Sequence, residues 1–159
     1  MGTLYHRVPL LDPDLGRIGF GLARGGPNGW ITVLNTGAGR GREPAVLFPG
    51  DGQVEIPLRL VADAETLTAL PEVKGRLAGF PITATFHAGR TVEQAESTLR
   101  IEQGEEAAVW TVTRSRGGAQ TICVVPREPL RSGTRYTIRM SARVAGRPWT
   151  EAWTFTTKR

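Results

Sequence analysis

From Tyr136 to Phe155 the chain alternates strictly in character, turns once, and alternates again. Tyr136, Ile138, Met140, Ala142 and Val144 share one side of an extended chain, and Arg135, Thr137, Arg139, Ser141 and Arg143 the other. A period of two with one wet face describes antiparallel strands packed on one side only. Gly146-Arg147-Pro148 supplies the turn. The return strand sets Trp149, Trp153 and Phe155 on one face, with Thr150, Thr154 and Thr156 opposite. A hairpin of this kind needs further strands or a second sheet to cover its apolar side.

Other short runs supply them. Ala45–Phe48, Glu55–Leu60, Ile82–Phe86, Ser97–Ile101, Ala108–Thr113 and Thr121–Val125 each read as a strand. About eight strands separated by turn residues predict an all-β, two-sheet antiparallel sandwich. The abundance of Gly (20) and Pro (11) between β-branched runs agrees with that and opposes long helices. Asp63 to Leu77 reads as a short helix or an irregular loop, interrupted by Pro71, and Val92 to Glu96 as a turn.

Ahead of the sandwich, Ile18, Phe20 and Leu22 alternate with small residues, Gly25-Gly26-Pro27-Asn28-Gly29 turns the chain, and Trp30–Leu34 returns. That is a second hairpin. Gly37 to Arg42, rich in Gly and Arg, reads as a linker. The expected organisation is a hairpin over 1–36, a linker over 37–43 and a sandwich over 44–159.

With 40% hydrophobic and 22% charged residues the chain is ordinary for a globular protein, which excludes wholesale disorder. The net charge of +5 raises the question of nucleic acid, but the basic residues are scattered along the chain, which weighs against that partner. No apolar stretch reaches the roughly 20 residues needed to span a membrane. The first residues show no signal-peptide apolar region, so the chain as written would stay in the cytoplasm. The single cysteine, Cys123, excludes an intramolecular disulfide and lies in an apolar run, as a small buried hydrophobe does.

No nucleophile elbow, phosphate loop, dinucleotide fingerprint or His-Glu-x-x-His motif is present, so no enzyme is predicted. Asp12-Pro13-Asp14 reads as turn chemistry and Glu105-Glu106 as a charged loop. Asp51, a lone carboxylate, is too little for a calcium site. Trp149, Trp153 and Phe155 are expected to centre the core, each worth about 1.5–3 kcal/mol on full burial. Tyr136 is expected to add ring area and tie its hydroxyl to a nearby loop, as a tyrosine corner does.

Two segments resemble known families. Tyr5-His6-Arg7, Leu10-Leu11-Asp12-Pro13 and Arg17-Ile18-Gly19-Phe20-Gly21 resemble the segment that closes bacterial CAP (SCP-like extracellular) domains, with Trp30–Leu34 as its last strand. Pro49-Gly50-Asp51-Gly52-Gln53, Ile56-Pro57, and the closing set Pro126, Leu130, Gly133-Thr134, Tyr136-Thr137, Gly146, Trp153, Phe155 and Thr157 resemble bacterial Ig-like domains of the SbsA type. The resemblance implies an Ig-like sandwich preceded by a CAP hairpin remnant, at the cell surface or outside the cell. It implies a non-catalytic binding or spacer module facing an unknown protein or cell-envelope partner, with no cofactor.

The resemblance also sets His6 at one of the histidine positions of a cavity that binds a divalent metal in some CAP domains. The other cavity residues have no counterpart in this sequence. His6 is then a metal ligand only if the rest of the cavity is supplied. The alternatives are the C-terminal part of a metal- or ligand-binding CAP protein and a basic nucleic-acid binder. Ile18, Phe20, Leu22 and Trp30 would pack beneath CAP helices. Left uncovered, they are expected to dock on the sandwich or to pair with another chain, by self-association through the hairpin.

Overall fold

The computed structural model describes residues 10–26, 29–39, 44–60, 71–74, 77–102 and 104–159. Among them the ordered elements are strands, with one short 3-10 turn at Pro71–Val73 and no α-helix. The strands are β1 (Leu15–Arg24), β2 (Trp30–Ala38), β3 (Ala45–Phe48), β4 (Gln53–Ile56), β5 (Ile82–Phe86) and β6 (Val92–Ile101). They continue with β7 (Glu106–Ala107), β8 (Val109–Arg116), β9 (Ala119–Pro126), β10 (Arg135–Val144) and β11 (Arg147–Thr157).

β1 and β2 form a two-stranded sheet of their own. The other strands form a five-stranded sheet, β4-β11-β10-β6-β7, and a four-stranded sheet, β3-β5-β9-β8. Only β4 runs parallel to its neighbour β11. The two sheets face one another, so the all-β sandwich expectation holds.

The core between them follows from the alternation. β10 buries Tyr136, Ile138, Met140, Ala142 and Val144 against Ile82, Ala84, Phe86, Ile122 and Val124 of the four-stranded sheet. Phe155 stacks on Tyr136, with centroids 5.4 Å apart and planes at 12°. The indole Nε1 of Trp153 donates to the Pro49 carbonyl at 2.7 Å, which satisfies its one polar atom inside the core. Trp149 is only half-buried and meets the Phe86 ring edge-on at 4.9 Å. The Tyr136 hydroxyl accepts from the Arg131 N–H at 2.7 Å, as the tyrosine-corner expectation required.

β9 departs from simple alternation because both its faces are covered. Ile122 and Val124 enter the main core, while Cys123 and Val125 pack with Val73 and Ala78 in a second cluster. Val73 and Ala78, with Leu60 packed against them, come from the described residues between β4 and β5 and supply that cover. Cys123 is buried there.

Several boundaries differ from expectation. The fourth strand is Gln53–Ile56, not Glu55–Leu60, because Pro57 brings no N–H to a ladder. Val92–Glu96 is not a turn but the first half of β6. One extra residue there, beside Gln94 at φ 52°, breaks the period of two and hides the strand. β2 runs to Ala38, so the expected linker loses Gly37 and Ala38 to the hairpin. The remainder of that linker from 40 to 43, and most of the expected helix or loop between Asp63 and Leu77, lie outside the described residues.

Candidate functional site: an exposed apolar hairpin

β1 and β2 pair over their whole length, from Leu15↔Ala38 to Arg24↔Trp30. Directly opposed residues share a face. Ile18, Phe20 and Leu22 therefore stand with Leu34, Thr32 and Thr36 on one side. Gly19, Gly21 and Ala23 stand with Asn35, Val33 and Ile31 on the other. The first face is bulky and the second is flat.

Neither face is covered by the sandwich. Phe20 is 69% exposed, and Ile18, Leu22, Ile31, Val33 and Leu34 lie between 47% and 58%. Among the described residues only two large apolar side chains outside the hairpin, Val54 and Leu77, are comparably open. The expectation that the hairpin docks on the sandwich is therefore not met for its described side chains. A two-stranded hairpin is marginal in water without a layer on one face. Burying Phe20, Ile18, Leu22 and Leu34 would be worth roughly 1.5–3 kcal/mol each.

The base of the hairpin is fixed. Asp12 Oδ1 accepts from the Asp14 N–H at 2.8 Å, and the Asp12 carbonyl accepts from the Leu15 N–H at 2.9 Å, so Asp12-Pro13-Asp14 is a turn as read. The Asp14 carboxylate also crosses to the turn after β5. It accepts from His87 Nδ1 at 2.8 Å and from the Ala88 N–H at 3.2 Å. The His87 bond, helped by Ala88, holds the Asp14 carboxyl below its ordinary value. Sequence reasoning missed this junction. Its partners are 73 residues apart, and the Asp-Pro-Asp signal speaks only for the turn.

The other polar candidates are structural. Asp51 Oδ1 accepts from the Thr154 N–H at 3.0 Å and pins the turn before β4 to β11. Glu105 pairs with Arg131 at 2.8 Å, and Glu106 lies 3.8 Å from Arg100. His6 lies outside the described residues. Among the described residues no three His, Cys, Asp or Glu side chains gather as a metal-holding group. None of their helices is long and apolar enough to cross a membrane.

No family model and no curated protein sequence matches the chain.

Proposed function

We propose that the chain is a non-catalytic binding and spacing module of an extracellular or cell-surface protein. The sandwich is the rigid body, and the β1–β2 hairpin is the element that meets a partner. The exposure of Ile18, Phe20, Leu22 and Leu34 on one face carries this reading. The hydrogen-bonded junction at Asp14 supports it, because a tethered hairpin can hold a partner at a defined position. The motif resemblances named above supply the finer assignment. They make the sandwich Ig-like and the hairpin the closing element of a CAP domain, whose natural cover is an apolar helical layer or a second copy of the chain.

Sedimentation of the purified chain, combined with amide exchange, tests it. Concentration-dependent association with protected hairpin amides is expected, and both are lost in the Phe20→Ser/Leu34→Ser double variant. A monomer at every concentration with an unprotected hairpin would overturn it. Stoichiometric divalent-metal binding lost in His6→Ala would favour a working CAP cavity instead.

A further inference from the structure

The outer face of the five-stranded sheet carries a polar trough. Ser141 on β10 lies opposite Glu96 of β6 and Thr150 of β11, so all three side chains share that face. Arg139 and Arg143 flank Ser141 at two residues on either side, roughly 7 Å along the strand each way. The short hydroxyl is the floor and the two arginines are the walls. One depression of about 490 Å³ is lined by Glu96, Thr98, Arg139 and Ser141 and reaches round β6 to the hydrogen-bonded Ser97 and Thr111. A second of about 520 Å³ is lined by Gln94, Glu96, Ser141, Arg143 and Thr150 among others. They share Glu96 and Ser141, and so run into one another.

Two observations set this face apart from an ordinary solvated sheet. The β6 bulge holds Gln94 at φ 52°, a left-handed backbone that a non-glycine residue adopts at a cost, and Gln94 lines the trough. Bulges of this kind re-aim side chains beside functional sites. In addition, Glu96 and Arg139 have no hydrogen-bond or ion-pair partner among the described residues, although opposite charges stand nearby. Both groups are left available to a ligand.

The lining selects the ligand. Apart from the alanines, Pro148 and the half-buried Trp149 the lining is polar, which disfavours a wholly apolar molecule and leaves one ring face for a sugar to lie on. A nucleic-acid strand wants exposed aromatic rings and continuous positive charge, whereas Glu96, and Glu93 opposite Arg143, would repel its phosphates. One trough carboxylate is too few for a cation. A guanidinium fork beside a carboxylate, an amide and two hydroxyls fits a ligand that carries an isolated carboxylate among hydroxyl groups. We propose that this trough binds a uronic-acid glycan, its carboxylate on Arg139 or Arg143 and its hydroxyls on Glu96, Gln94 and Ser141.

Titration calorimetry with oligogalacturonate as the probe tests it, with dextran, dextran sulfate and duplex DNA as comparators. Wild type is expected to bind oligogalacturonate, and Arg139→Ala to weaken it by roughly tenfold to a hundredfold, as loss of a charge-assisted bond does. Glu96→Ala is expected to weaken it as well, whereas trapping of any anion would be strengthened by removing that charge. Phe20→Ser, remote on the hairpin, is expected to bind as wild type does, so failure here is separable from failure of the hairpin reading. No binding to oligogalacturonate, equal binding to dextran, tighter binding of dextran sulfate or DNA, or unchanged affinity in both trough variants would each overturn the proposal. Both substituted side chains are exposed, and circular dichroism checks that the variants keep the fold.

Discussion

At the scale of single residues, the closing hairpin rests on a few exact fits. Tyr136 is 2% exposed, and its hydroxyl is the partner of the Arg131 N–H. Tyr136→Phe keeps the ring and leaves that N–H unpaired, so it should cost about 1–2 kcal/mol in urea unfolding. Burial pushes the Tyr136 hydroxyl above its ordinary value, against the Arg131 bond, which lowers it. The raised folded-state value means that its contribution is fully present below about pH 10 and is lost as pH rises through the folded-state value. An alkaline melting series should show that loss in wild type and not in Tyr136→Phe.

Two exchanges between glycine and alanine should act in opposite directions. Ala145 occupies φ 46° in the two-residue turn between β10 and β11, so Ala145→Gly should stabilise by about 1 kcal/mol. A Cβ on Gly79 would sit 2.6 Å from the Pro126 Cβ and 2.7 Å from the Glu128 carbonyl oxygen. Gly79→Ala should therefore destabilise by about 1–3 kcal/mol, as overpacking does. Chemical denaturation of the pair checks both signs.

At the scale of elements, β1–β2 meets the sandwich through Asp14. The Asp14 carboxyl is held below its ordinary value in the folded state, so the junction contributes above the ordinary carboxylate range and is lost as pH falls through the depressed value. Asp14→Asn should show at neutral pH the freed hairpin that wild type shows in acid. Small-angle scattering reads this as a broader distribution of hairpin positions. An identical distribution in acid, at neutral pH and in the variant would contradict it.

At the scale of the whole molecule, association and charge oppose one another. Each copy carries a net +5, so like charges keep copies apart while the hairpin faces draw them together. Added salt should strengthen hairpin-driven self-association by screening that repulsion. Binding of an anionic ligand to the sheet face should weaken under the same salt. Sedimentation and calorimetry over one salt series separate the two contacts.

The residues alone determined the class of the fold, because period two with one wet face leaves a sheet packed on one side as the only economical solution. The alternation of Arg135–Val144 and of its return strand was legible, as were the Tyr136 tie and the burial of Cys123, but the turn is Ala145-Gly146, and Arg147 and Pro148, read as turn residues, already belong to β11. The first half of β6, Val92–Glu96, was not legible, although Ser97–Ile101 was, because the extra residue at Gln94 breaks the alternation that strand reading depends on. Tertiary structure alone decided the rest. It brought Asp14 to His87 across 73 residues of sequence. It covered the second face of β9 with Val73 and Ala78, and it joined Glu96 to Ser141 and Arg139 in one trough. Local patterns fix which way a side chain points along its own strand. Which strands become neighbours, and which face remains bare, depends on pairings between distant segments that no local period encodes.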